Sequence, residues 1–152
     1  MPEPREPLKP LHYELMLLSR YHLRPPAASS ALDRSGYVLL NRLELVDPMT
    51  LKELSQALRL DTSTVHRQLG ALLRHEYVEY VPGAAGEVAR RFAPTAAGRA
   101  ALLDARASHE HELSAVVGDW PAEKQQQLMS LLRDFNEQVE RLESAPWPRL
   151  AD

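Results

Sequence analysis

The sequence predicts a mostly α-helical chain with one small β-hairpin. Three observations carry this. Residues 50–75 read as two helices separated by a three-residue turn, two short β-prone runs follow, and both ends of the chain place apolar residues at helical spacing. In the first helix, TLKELSQAL, Thr50 is a good N-cap and Glu53 stands three positions on, as a capping box requires; Leu51, Leu54 and Leu58 form the apolar stripe. Arg59, Leu60 and Asp61 make the turn, and Asp61 is placed to cap the second helix, DTSTVHRQLGALLRHEY. There Val65, Leu69, Leu72 and Leu73 define the buried side, and Ser63, Arg67, Gly70 and Arg74 fall roughly opposite.

The outer side of that second helix suits a major groove. Arginine can bond two acceptors on one guanine edge, serine and threonine donate to phosphates or bases, glutamine pairs with adenine, and glycine and alanine allow close approach. No acid lies between Asp61 and Glu76. An ordinary solvated polar face has the same look in isolation, but the preceding helix, the tight turn and the following hairpin favour nucleic acid. The hairpin is read from Tyr77–Val81, which alternates apolar and polar positions, a break at Pro82 and Gly83, and a return over Val88–Pro94. This is the order of a winged helix-turn-helix. Arg90 and Arg91 are the wing's candidate backbone contacts; adjacent on a strand, they must point to opposite faces.

These segments resemble the multiple antibiotic resistance regulator (MarR) family of bacterial transcription factors. The likeness runs through LDRSGYVLLNRLEL (32–45), MTLKELSQALRLDTSTVHRQLGALLRHEYVEYV (49–81) and FAPTAAGRALL (92–103, interrupted by one alanine), about half the chain. It implies a homodimer whose recognition helices enter successive major grooves of a pseudo-palindromic operator in double-stranded DNA. Residue by residue, it carries DNA contact to Thr62, Ser63, Thr64, His66, Arg67 and Gln68, beside Arg74, Arg90 and Arg91 from the face and wing. One departure matters: the family's wing tip usually carries Asp-x-Arg, whereas here residues 83–87 read GAAGE. Glu87 would repel phosphate if it pointed inward, so a deep minor-groove contact at the tip is in doubt.

Composition fits one domain over residues 1–152, with a DNA-binding lobe at 32–98 and a helical dimerisation region at 5–24 and 99–145. The net charge of −3 is unevenly spread. Residues 59–99 hold six arginines against four acids, and residues 100–145 nine acids against four bases, so the reading half is the basic one. With no cysteine, disulfides, thiolate metal sites and thiol redox sensing are excluded. The N-terminus lacks the pattern of a signal peptide and no apolar run is long enough to span a bilayer, so the expectation is a cytoplasmic protein without membrane contact.

At the N-terminal end Leu8, Leu11, Leu15 and Leu18 step by three and four along a helix expected to end near Leu23; at the C-terminal end Leu128, Leu132, Phe135, Val139 and Leu142 do the same. Each seam could cover its own domain, but seams at both ends also suit a two-fold interface, and the resemblance favours interleaved dimerisation helices. Thr95 should cap a long helix towards Val117, and Gly118 and Pro121 should turn the chain into the last one. Trp147, in the non-periodic tail, either packs on a partner or sits loose. The resemblance also implies a small, often aromatic or anionic effector between lobe and helices, where Tyr13, Met16 and Tyr37 would supply the walls.

An enzyme is not expected. The chain lacks a nucleophile elbow, a phosphate loop, G-x-G-x-x-G and H-E-x-x-H. His109 and His111 lie about 200° apart on a helix and cannot share one ion. No cofactor and no metal site are predicted. The runner-up is a winged-helix scaffold that binds protein instead of DNA, which would need an exposed aromatic or aliphatic anchor on the second helix.

Overall fold

The computed structural model describes residues 7–20, 32–46, 48–83 and 85–149. Its elements run α1 (Leu8–Arg20), α2 (Arg34–Leu45), β1 (Met49–Thr50), α3 (Leu51–Leu58), α4 (Thr62–Arg74), β2 (Val78–Val81), β3 (Arg91–Pro94), α5 (Ala96–Val117) and α6 (Ala122–Glu143). The expected extension of the first helix to Leu23 lies outside the described residues.

Local chemistry sets most of the helix starts. Asp33 accepts the Gly36 N–H at 2.7 Å and opens α2. At α3 the capping box forms as expected: Thr50 Oγ1 accepts the Glu53 N–H at 3.2 Å, and Glu53 Oε2 accepts the Thr50 N–H at 2.9 Å. Thr95 Oγ1 accepts the Gly98 N–H at 3.0 Å and opens α5. Asp61 departs from expectation. It occupies the N-cap position of α4, but its side chain makes no capping bond, and the first turn is carried by its carbonyl, which accepts the Val65 N–H at 3.1 Å.

The strands form one antiparallel sheet in the order β1-β3-β2, with Met49 opposite Phe92 and Thr50 opposite Arg91 on one side, and Tyr80 opposite Phe92 and Val81 opposite Arg91 on the other. The return strand is shorter than its sequence suggested: Val88 to Arg90 lie outside it, and Val88 is 99% exposed. Strand β1 has no counterpart in the sequence reading, which saw Thr50 only as a cap.

A single core gathers Leu39, Leu40 and Leu43 from α2, Leu54 from α3, Val65, Leu69 and Leu72 from α4, Val78 and Phe92 from the sheet, and Leu102 and Ala105 from α5. The core runs past residue 98, so α5 serves the lobe with its first turns before continuing beyond it. Close approach there depends on Gly98, where a Cβ would collide with the Tyr77 carbonyl oxygen. Neither α1 nor α6 buries a residue. None of the described helices is long and apolar enough to cross a membrane.

Candidate nucleic-acid interface

Helix α4 presents the face read from the sequence. Val65, Leu69 and Leu72 anchor it in the core, while Thr62, Ser63, His66, Arg67 and Arg74 are exposed and Thr64 and Gln68 are half-buried. A Cβ at Gly70 would meet only the end of the Arg74 side chain, at 3.6 Å, so the face is open there. The large exposed apolar side chains of the described residues include none from α4.

The angle between α3 and α4 comes from Arg59, whose φ of 53° turns the chain out of α3, with the Leu60 N–H donating back to the Ser55 carbonyl at 3.1 Å. A cleft of about 450 Å³ lies where α4 passes the start of α2, lined in part by Ser35, Arg67, Gln68, Arg74 and His75. A second cleft, of about 740 Å³, lies between α3 and the hairpin; Leu51, Tyr80 and Phe92 form apolar wall, and Lys52 and Arg90 stand at it. Arg67 and Arg90 thus line two clefts, one beside α2 and one beside the wing.

The two wing arginines part company, although Arg90 lies just outside β3 and Arg91 is its first residue. Arg90 is exposed, and its guanidinium lies 5.0 Å from the centre of the Tyr80 ring, which itself leans on Phe92. Arg91, expected with Arg90 to contact the DNA backbone, turns inward. Its Nε donates to Glu87 Oε2 at 2.9 Å; one terminal nitrogen donates to the Pro48 carbonyl at 2.7 Å and to Glu53 Oε2 at 3.0 Å; the other donates to Glu87 Oε1 at 2.8 Å and to Glu53 Oε1 at 3.4 Å. Glu87 is thereby turned towards Arg91, which it shares with Glu53.

The cluster also moves the ionisation of its members. The Thr50 backbone N–H first, then Arg91, holds the Glu53 carboxyl below its ordinary value, and the bonds from Glu87 and Glu53 hold the Arg91 guanidinium above its own. A depressed carboxylate contributes stability that is present above its unfolded value and is lost as the pH falls through its folded one. Acid therefore removes the Glu53 contribution as the pH falls below the ordinary value of a glutamate.

The remaining site residues are less concentrated. Tyr37 meets His109 of α5 edge-on, with ring centres 4.5 Å apart, whereas Tyr13 and Met16 are exposed on α1. Nearby, Arg106 of α5 donates to Asn41 at 2.7 Å and to Glu44 at 2.6 Å, fastening α5 to α2. Among the described residues no group of three His, Asp or Glu side chains is placed to hold a metal ion. Leu8, Leu11, Leu18, Leu132, Phe135 and Leu142 are exposed, and Leu15, Leu128 and Val139 are half-buried. Trp147 packs within its own chain: the Arg42 guanidinium lies 5.1 Å from its ring centre, and its backbone N–H donates to Glu140 at 3.1 Å.

With this geometry in hand, the comparisons are consistent with one another. The sequence model of the IclR helix-turn-helix domain matches residues 31–82, which span α2, α3, α4 and β2. Among solved structures, RV1404 from Mycobacterium tuberculosis superposes with a TM-score of 0.72 at 18% identity, over 96% of this chain and 100% of that one. A MarR family protein from Bacillus stearothermophilus gives 0.65 at 18% identity, over 88% and 93%. The chain has the MarR-family fold. A third MarR-fold neighbour, the PcaV transcriptional regulator from Streptomyces coelicolor, solved in complex with its natural ligand, gives 0.65 at 17% identity, over 92% and 100%. In sequence, the chain is 25% identical over 135 residues to YxaD of Bacillus subtilis (strain 168), described as an uncharacterized HTH-type transcriptional regulator, covering 87% of this chain and 94% of the relative. The sequence reading located α3, α4 and the hairpin but not the Arg91 cluster, because two of its anchors, Pro48 and Glu53, stand 43 and 38 positions away in the chain.

Proposed function

We propose that the chain is a transcriptional regulator that binds double-stranded DNA sequence-specifically as a homodimer, acting in the cytoplasm as a repressor released by a small-molecule effector. The observation that carries this reading is the outer face of α4, where Ser63, Arg67 and Arg74 are exposed, Gly70 adds no side chain and no acid intervenes, in a lobe whose hairpin also exposes Arg90. Apart from their N-termini, helices offer phosphate little by themselves; a cationic outer face together with one exposed arginine on the hairpin offers both base edges and backbone a partner. The scaffold alternative loses ground because α4 exposes no large apolar anchor. The HTH-type regulator name of the Bacillus relative supports the same class, and with it a role other than catalysis.

Two copies are required by this reading, since one α4 reads only half of a two-fold site. The exposed seams of α1 and α6 supply the surface for the second copy. An effector bound near Tyr37, with Tyr13 and Met16 brought over it in the dimer, would release DNA only by preferring the other spacing of the two α4 helices. A tenfold loss of operator affinity needs about 1.4 kcal/mol of that preference.

Selection of bound sequences from random duplex DNA tests the proposal. The expected result is an enriched dyad with half-sites roughly 10 base pairs apart, centre to centre. On the selected site, Arg67→Ala should cost on the order of 1–3 kcal/mol per half-site and relax one base position, whereas Arg90→Ala should weaken all sequences alike. Binding without sequence preference or dyad would overturn the proposal.

A further inference from the structure

We propose that Arg91 is a positioning residue that sets where the wing stands relative to the recognition helix, and that it does so without touching DNA. This rests on the DNA-binding reading above. The guanidinium has five N–H donors, and in this structure it forms five hydrogen bonds, to the approach to β1, the start of α3 and the wing. Pro48 lies in the approach to β1, Glu53 in the first turn of α3, and Glu87 at the base of the wing tip. With its donors occupied, the side chain has nothing left to offer a phosphate.

Glu53 makes the arrangement more than a surface ion pair. The oxygen that receives Arg91 also receives the Thr50 N–H, at 2.9 Å, and so closes the capping box of α3. The helix that supports α4 from behind and the wing are thereby fastened through one carboxylate. The wing needs such a fastener: its tip contains Gly83 and Gly86, the latter at a φ of 88°, and strand β3 begins only at Arg91. Arg91 is the last residue of the wing held by strand pairing, to Thr50 on one side and Val81 on the other, and its neighbour Arg90 is the exposed cation. Fixing Arg91 fixes the base from which Arg90 projects.

The balance of charge gives the sharpest contrast between contact and positioning. Two carboxylates face one guanidinium, so the cluster carries a net negative charge in the lobe that is proposed to bind DNA. If Glu87 acted only by repelling phosphate, Glu87→Gln would tighten binding. If it serves to hold Arg91, the same change loosens the wing and weakens binding to the preferred site.

The test compares Arg91→Lys, Arg91→Ala and Glu87→Gln with the wild-type chain, on the selected DNA site and on scrambled duplex, across a salt series. A parallel arm measures amide hydrogen exchange over residues 78–94 in the free protein. Lysine keeps the charge but not the fork, so Arg91→Lys should lose on the order of tenfold in affinity for the selected site. Scrambled duplex should be nearly unaffected, and wing exchange should speed up. Arg91→Ala should leave the slope of log affinity against log salt unchanged, and Glu87→Gln should weaken binding to the selected site. A slope reduced by about 0.9 per protomer would make Arg91 a phosphate contact and overturn the proposal. Full affinity in Arg91→Lys, or tighter binding in Glu87→Gln, would do the same. Should the wild-type chain bind no duplex at all, the DNA reading fails by itself. The exchange arm then decides alone, and unchanged wing exchange in Arg91→Lys overturns the positioning role.

Discussion

In the winged lobe every element removes at least one large side chain from water: Leu39 from α2, Met49 from β1, Leu54 from α3, Val65 from α4, Val78 from β2, Phe92 from β3 and Leu102 from α5. In α1 and α6 nothing is buried, although Leu8, Leu11, Leu15 and Leu18, and Leu128, Leu132, Phe135, Val139 and Leu142, repeat with the same regularity as the stripe of α4. The two regions carry equally good periodicity and opposite outcomes. Periodicity therefore announces that a helix has a face to bury, but the second surface must be found elsewhere. For the lobe it comes from the same chain. For the terminal helices it is proposed to come from another copy.

The strongest way to break this comparison is to open the lobe's core. Leu54→Ala, at a position fully removed from solvent, should cost about 2–5 kcal/mol of unfolding free energy. Urea denaturation at two protein concentrations should show that the loss itself does not depend on concentration. A loss below about 1 kcal/mol would mean the core collapses around the gap, and the contrast with the arms would weaken.

The arms should respond in the opposite manner. Phe135→Asp places a charge in the middle of the α6 seam, where the ring is 47% exposed in one chain. A change on the order of 2 kcal/mol, or roughly 30-fold in the dimer dissociation constant, is expected by sedimentation at several concentrations, with the lobe still folded by circular dichroism. An unaltered association would show that α6 covers some other surface.

The smallest effect sharpens the comparison inside the lobe. Thr50→Ala removes a formed capping box and should cost about 1 kcal/mol, whereas Asp61→Ala removes a side chain that makes no capping bond and should cost only a few tenths. Equal losses in thermal melts of the two variants would contradict the difference between the two caps.

These two caps also show how far the chain was legible from residues alone. Thr50 and Asp61 are both proper N-cap types, yet only at Thr50 does the backbone bring N3 within reach; capping geometry depends on the turn before it, and the turn at Arg59 is an αL conformation that composition does not announce. Elements that bury a stripe locally, such as α3 and α4, could be read directly. Strand β1, only Met49 and Thr50, has no period to detect and exists because β3 lies beside it. Arg91 reads in sequence as a spare cation beside Arg90, and its three partners stand 4, 38 and 43 positions away. Trp147 is similar: the tail lacks helical period, and its place over Arg42 is a tertiary fact.

Gly98 has a mechanical consequence. Its bare backbone rests against the Tyr77 carbonyl, just past the end of α4, and that carbonyl also accepts the Thr95 N–H at 3.0 Å. Helix α5 has 22 residues, so it is about 33 Å long. Its first turns are gripped at three levels, by the Tyr77 carbonyl at Gly98, by the core at Leu102 and Ala105, and by α2 at Arg106, so a displacement at the far tip of α5 is passed to the lobe as a whole and not to one joint.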